Sequence, residues 1–510
     1  MVNRRSHVSL FFILVAFSFL AFSLFNIQEN RIAGESGVPL DDSWIHFQFA
    51  RNVARGYGFS YNPGHETPGS TSPLWVYILA GTYKITGGFL SSSKVLGLLF
   101  LLVAVWALYN ISRYIDPNRW CAFLVALFTL LAGRLFWGVL SGMEIGLFTM
   151  LTHVGILLYL KFEPASPKSF VTTVFFGLTT LARPEGAALF AFACLLTFWQ
   201  LFCSRKRNSD HIPFKRAFVA FVLHVLIFMV LVLPQVWFCF KTTGHPLPTT
   251  FYAKTQGLHI GFVSVRYIIK VVYFLFRDHP LFFLTLPFGL WHIGRKGIRG
   301  DIKVSILVLW FCGLPLLNAV INPITWHHGR YIMFLIPLFF LFSVHGCYFG
   351  FNVVKLKGAK LKEGFLLLSF ICSLALLFHW SRIYAENVDN VNQMDVRMGR
   401  WIENNLPLNA TVAASDVGAI AFFSERSILD TDGLVTPEVI PYVKELGREQ
   451  GVFQYLVKKK PDFVVAFHDE FQFLSNHKDL FEPLFSLRIM KNTILGGERM
   501  VVYKTHWSFE

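Results

Sequence analysis

Residues 39–75 read PLDDSWIHFQFARNVARGYGFSYNPGHETPGSTSPLW and stand between two apolar runs, 8–27 and 92–112. Each run is long enough to cross a hydrocarbon core of about 30 Å, which takes roughly 20 residues of helix. The segment between them is too polar to do so. From Asp41 it has helical spacing: Ile45, Phe49 and Val53 form an apolar stripe, and Gln48, Arg51, Asn52 and Arg55 the opposite polar one. That pattern predicts a helix lying in the membrane interface, with Asp41 or Asp42 as its N-cap. A cap needs one carboxylate. The second adds repulsion with no structural return, so the doublet marks a candidate site. Beyond the helix, Gly56, Gly58, Pro63, Gly64, Pro68, Gly69 and Pro73 force a turning path that carries His65, Glu66, Ser70, Thr71 and Ser72.

The rest of the chain agrees with a membrane setting. Of 510 residues 54% are apolar and only 15% charged, and the chain holds 56 Phe and 13 Trp. The mean hydropathy is +0.50. Disordered, collagen-like, disulfide-scaffold and ordinary soluble classes are excluded. The net charge of +15 follows from Lys and Arg gathered in short loops, as the positive-inside rule requires, and does not call for nucleic acid. Seven Cys lie within or at the edges of apolar runs with no CxxC, which predicts buried thiols without disulfide or zinc.

Further apolar runs fall near 73–88, 119–137, 143–161, 169–182, 185–203, 216–240, 262–276, 279–294, 302–321, 330–350 and 364–381. The basic connections are Arg113–Arg119, Lys161–Lys168, Arg205–Arg216, Arg295–Lys303 and Lys355–Lys362. They share one side with Arg4 and Arg5 only if 73–88 and 262–276 are re-entrant or interfacial. The expectation is a polytopic α-helical membrane protein of about 11 to 13 membrane helices, eleven of them full crossings, over residues 1–381. The first run is read as a retained span with its N-terminus cytoplasmic. The loop 28–91 and everything beyond about 382 then lie outside. Residues 382–510 change character: Asp395–Asn405 reads as an amphipathic helix, and Thr411–Ala414, Asp462–Phe467 and Met500–Lys504 as short strands. They predict a soluble α/β domain on the outer face.

Isolated ionisable groups gather on that same face, where proximity to lipid makes them costly and therefore candidates for function. Glu144 opens a span. Arg183 and Glu185 sit in a hairpin around Pro184, and an ion pair between them is the plain structural alternative. Tyr252 and Lys254 lie in the loop 244–256, and His327, His328 and Arg330 stand beside a span. Adjacent His point apart, so anion binding is favoured there over metal ligation, with a structural role the plain alternative to both.

A carboxylate among basic groups at a membrane face suits transfer of a group from a lipid phosphate. The phosphate needs its charge stabilised as it departs, and the incoming hydroxyl needs a base. Neither a Walker A motif nor a GxGxxG following a strand is present.

The runs DDSWIHFQFARNVARGYGFSYNPG (41–64) and GSTSPLW (69–75) resemble the first-loop motif of the integral-membrane GT-C glycosyltransferases, in particular the mycobacterial terminal arabinofuranosyltransferase type and its bacterial relatives. GMEIGLF (142–148), ARPEG (182–186), TFYAKT (250–255), HGRY (328–331) and the tail runs within 418–434 fall in the order of that group's further signatures. The resemblance implies a GT-C-like fold. It implies inverting transfer of a sugar from a polyprenyl-phosphate donor to an envelope glycan, lipid or protein acceptor, on the outer face of a bacterial cytoplasmic membrane. Asp41 would be the catalytic base with Asp42 its neighbour. Glu144 matches an acidic position of the lipid A aminoarabinose transferases, and Arg183 falls where those enzymes hold a Lys beside the donor phosphate. Arg183, Lys254 and Arg330 are then the expected phosphate-binding residues. Tyr252, His65, Glu66, Glu144 and His328 are expected around the substrate, and the tail is expected to recognise the acceptor. No metal site is assigned, and Asp42 is the one candidate ligand for a divalent metal. Asp416 and Asp430 read as turn residues.

Two other classes fit the same composition: a lipid or sugar transporter, and a non-catalytic subunit of envelope assembly. Transporters typically carry internal repeats and broken helices at the midplane. Here no repeat is visible and the ionisable groups keep to one face. Asp41→Asn discriminates, since a scaffold should tolerate it and a transporter should move substrate without a covalent product.

Overall fold

The computed structural model describes residues 2–206, 214–255, 257, 259–353 and 359–507. Parts of the basic connections Arg205–Arg216 and Lys355–Lys362, and the side chain of Cys203, lie outside the described residues.

Each apolar run of the sequence forms helix. Six helices among the described residues are long and apolar enough to cross a membrane: Leu10–Ile32, Leu90–Ile115, Lys215–Thr243, Ile302–Ile321, Trp326–Phe351 and Lys360–Asn405. The protein is a multi-pass membrane protein. Other apolar helices are shorter, including Ile145–Lys161 and Gly186–Gln200. Pro73–Thr86, with 14 residues, and Phe262–Asp278, with 17, also fall short of a full crossing.

The run 119–137 is not one rod. Arg119–Leu130 and Gly133–Val139 meet at a bend of 61°. At the break Gly133 packs so closely on the helix Ala359–Val391 that a Cβ would stand 2.7 Å from Trp380. The bend also delivers the buried Arg134 to Asp278.

The helix from Ala359 does not stop at the membrane. It passes through a π turn, Asn392–Val396, into Arg397–Asn405. Its 46 residues from Lys360 span about 70 Å at a rise of 1.5 Å each, more than twice a bilayer core. The C-terminal half is therefore a stem for the C-terminal sheet. That sheet has the order β2-β1-β3-β5-β4. β1 (Thr411–Ala414) runs parallel to both β2 (Ser427–Asp430) and β3 (Phe463–Phe467). β5 (Arg499–Thr505) is antiparallel to β3 and to β4 (Phe481–Arg488). Because strand side chains alternate, Val412 and Ala414 join a core continuous with the membrane helices, while Ala413 joins a second core with Val452 and Leu456 of the helix Arg448–Lys459.

The first-loop helix, Asp41–Arg55, departs from expectation in two ways. Its N-cap is Leu40, and Asp41 and Asp42 occupy its first turn. Nor does it lie open on a membrane surface, for Ser43 to Asn52 are all buried. The C-terminal domain covers its polar stripe: Arg51 Nη1 donates to Glu425 at 2.9 Å. Asn62, just beyond, exchanges two side-chain hydrogen bonds of 2.9 Å with the backbone of Ile428 in β2. Cys121, Cys239 and Cys347 are buried as expected, whereas Cys312 is exposed on the helix Ser305–Ile321.

Candidate active site

The two members of the acidic doublet face different partners. Asp41 accepts from the backbone N–H groups of Gly418 and Ala419, at 2.6 and 2.7 Å, and so pins the C-terminal domain to the first loop. Gly418 is needed there, because a Cβ would meet the carbonyl oxygen of Asp41 at 2.1 Å. Burial pushes the Asp41 carboxyl up to about 6 against the lowering effect of those donors, and the charge of Asp42 adds to the rise.

Asp42 lines a cavity of about 380 Å³. Arg330 Nη2 approaches it to 2.5 Å. Burial alone would raise the Asp42 carboxyl, but Arg330 and Lys254 hold it well below the usual carboxylate range. Tyr331 Oη accepts from Arg330 Nη2 at 3.1 Å and from Lys254 Nζ at 3.4 Å. Burial lowers Lys254, while Tyr331 and Asp42 raise it above its ordinary value, so it stays cationic.

A second chain crosses the same cavity. Ser70 Oγ lies 3.1 Å from His46 Nδ1. His46 Nε2 stands 3.4 Å from Glu144 Oε2, a long contact that leaves this oxygen without a well-formed hydrogen bond. Arg183 donates to Glu144 at 2.5 Å and to Glu185 at 2.7 Å. The ion pair between Arg183 and Glu185, the plain structural alternative, is thus present as part of a larger network. Arg330 Nη1 and Arg183 Nε are buried with no partner among the described residues, which leaves donors unspent where an anion would sit.

The cavity therefore unites Asp42, Glu144, Arg183, Lys254 and Arg330, which are far apart in sequence. It does not include five other candidates, the first of them Asp41, which is turned to Gly418 and Ala419. His65 and Glu66 are exposed in the first loop. Tyr252 faces His245, ring centroids 4.7 Å apart. His328 is held between Trp137 and Trp380, with Nε2 3.0 Å from Asn387.

Reading the sequence missed Arg134. It makes a bidentate pair with Asp278, at 2.7 and 2.5 Å, and donates to the backbone oxygens of His328 and Gly329. Those contacts brace a turn in which His327, His328 and Gly329 all have positive φ, at 50°, 59° and 69°. For non-glycine residues that conformation costs on the order of 1–2 kcal/mol each. The braced turn sets where Arg330 emerges. The signal was an arginine inside an apolar run, which calls for a function or a partner by default.

A divalent cation does not fit Asp42. Its carboxylate faces two cations, and no group of three or more His, Cys, Asp or Glu among the described residues is placed to hold a metal.

The fold is GT-C-like. The chain superposes on the oligosaccharyltransferase of Archaeoglobus fulgidus in its apo form with a TM-score of 0.62 at 11% identity, over 90% of this chain and 69% of that one. It superposes on the same organism's AglB, solved with an inhibitory peptide and a dolichol-phosphate, with a TM-score of 0.60 at 9% identity, over 89% and 69% of the two chains. For ArnT from Cupriavidus metallidurans bound to undecaprenyl phosphate the TM-score is 0.59 at 13% identity, over 97% and 98%. Residues 383–507 match a family model described as a domain of unknown function (DUF8728). Comparison with curated proteins finds no match.

Proposed function

We propose that the protein is an inverting glycosyltransferase of a bacterial cytoplasmic membrane, moving a sugar from a polyprenyl-phosphate donor to an envelope glycan, lipid or protein at the outer face. The observation that carries this reading is the cavity in which ionised Asp42 stands among Arg330, Lys254 and Arg183. Its wall includes the partly exposed Leu317 and Ile321 of a membrane helix, giving a prenyl chain a way in from the lipid. Two of the structural neighbours were solved with prenyl phosphates, dolichol-phosphate and undecaprenyl phosphate.

In this mechanism the donor phosphate takes the unspent donors of Arg330 and Arg183 and the ammonium of Lys254. Arg330 then shares its charge between phosphate and Asp42, and the carboxylate becomes a stronger base. Asp42 accepts the acceptor's hydroxyl proton as the oxygen attacks the anomeric carbon. The bond from that carbon to the phosphate oxygen breaks, and its electron pair leaves on the phosphate. The new bond forms on the opposite face of the sugar, which inverts the anomeric centre. Asp41, tied to Gly418 and Ala419, holds the domains together in this scheme.

The test is mass analysis of envelope glycans from a deletion strain complemented with the wild-type chain or with Asp42→Asn. Restored modification by the wild type, with none by a stably inserted variant, is expected. Full complementation by Asp42→Asn would leave the scaffold or transporter reading in its place.

A further inference from the structure

A second, larger cavity of about 750 Å³ lies on the other side of the first-loop helix, under the C-terminal domain. Trp44, Phe422 and Phe423 form an aromatic wall, with ring centroids of Trp44 and the two Phe 5.0 and 4.8 Å apart. Arg51, Arg55 and Arg400 line it as well. Their charge is incompletely answered. Arg51 and Arg55 share a single oxygen, Glu425 Oε1, at 2.9 and 3.2 Å. The carboxylate facing Arg400, that of Glu35, is 3.8 Å away. Trp44 is 3% exposed, and its indole N–H has no partner among the described residues.

The floor of the cavity is the outer end of the span Leu90–Ile115, at Val95 and Leu96. From Val95 an exposed apolar stripe descends that helix through Leu99, Val103 and Trp106, at 48%, 51%, 41% and 47% exposure. Steps of four, four and three residues keep it on one face. The cationic, aromatic chamber therefore opens onto a lipid-facing track that begins inside it.

We propose that this chamber binds the anionic headgroup of a membrane lipid, the phosphate between Arg55 and Arg400 and one chain along the stripe from Val95. Surplus arginine charge at a membrane surface selects anionic over zwitterionic headgroups. The track selects a chain-bearing molecule over a free anion. The site is separate from the Asp42 cavity, and its test reads binding, so it stands or falls independently of the transfer reaction.

The full chain, purified in detergent, is titrated with phosphatidylglycerol or with phosphatidylcholine of the same chains and followed by native mass spectrometry. Phosphatidylglycerol is expected to bind at least about tenfold more tightly, as 1.4 kcal/mol or more of charge selectivity would give. The R55Q/R400Q double variant should bind the two lipids alike, and R55K/R400K should keep the preference. Both positions are half-exposed, so folding is spared. Glycerol phosphate, which has the charge without the chains, should not displace the lipid. Equal binding of the two lipids by the wild type, an unchanged preference in R55Q/R400Q, or displacement by glycerol phosphate at equal concentration would overturn the proposal.

Discussion

Asp41 and Asp42 are neighbours in the chain and serve opposite sides of one helix start: the first accepts two backbone N–H groups of the C-terminal domain, the second meets Arg330 at 2.5 Å in the membrane-side cavity. One carboxylate joins domains, and the other faces the cations Arg330 and Lys254. This division separates what each should do when neutralised.

Asp42→Asn should lower transfer by roughly 10²–10⁴-fold, the usual weight of a positioned general base, with the contact between the first loop and the C-terminal domain kept. Asp41→Ala should do the reverse in emphasis. It removes two charge-assisted hydrogen bonds, each worth about 1.5–3 kcal/mol, and loosens the domain contact. A transfer assay in proteoliposomes and limited proteolysis of the junction around residue 410 separate the two. Equal loss of transfer with equal loss of protection in both variants would remove the distinction.

The pH dependence of the domain contact has a definite sign. The folded chain holds the Asp41 carboxyl at about 6, above its ordinary 3.8. Between those values the folded state binds more protons than the unfolded one. Stability from this group therefore falls as pH rises from about 4 to 6 and is flat above. Asp41→Asn carries no titrating group, so the difference in melting temperature between wild type and variant should change over that interval only. Differential scanning fluorimetry from pH 4 to 8 reads it.

Gly418→Ala should separate the same two parts by steric means. The added Cβ would fall 2.1 Å from the Asp41 carbonyl oxygen and 2.8 Å from its carboxylate. The carbonyl oxygen is backbone and cannot swing away, so a cost of about 1–3 kcal/mol is expected. Thermal unfolding and proteolytic nicking near residue 410 should both move, while Gly364→Ala, where nothing lies within 4 Å, should move neither.

Arg134→Met leaves Asp278 buried and uncompensated, and a loss of about 3–5 kcal/mol is expected. Replacing both partners, Arg134→Met with Asp278→Leu, should recover much of that stability. It should not recover donor affinity, because the carbonyl oxygens of His328 and Gly329 still lack their donor and the turn before Arg330 is unbraced. A raised donor KM in the stable double variant marks a positioning role. An unchanged KM would reduce Arg134 to a structural ion pair.

Much of this molecule was legible along the chain. Each apolar run became helix, often longer than the run itself, because lipid requires each span to satisfy its own backbone hydrogen bonds. The run at 411–414 became β1 at those bounds, and 463–467 and 499–505 closely follow the predicted strands. β4 escaped notice because it is an edge strand interrupted at Pro483, with mostly exposed side chains and a register shift beside the proline. β2 lies in the short run Ser427–Asp430, too brief to show a period.

The local sequence could name charged groups beside spans, since an ionisable residue next to lipid is conspicuous wherever it falls. It could not say which of them meet. His65 and Glu66 share a loop with Ser70, yet only Ser70 reaches the cavity. Arg183, Lys254 and Arg330 come from three segments far apart in the chain and line one cavity. Composition and periodicity thus determined a membrane helix bundle with a polar first loop and a C-terminal α/β tail. The direction in which each carboxylate of the doublet points was decided only in three dimensions. Side-chain orientation at the start of a helix depends on what packs against it, and here that is a glycine almost four hundred residues away in the chain.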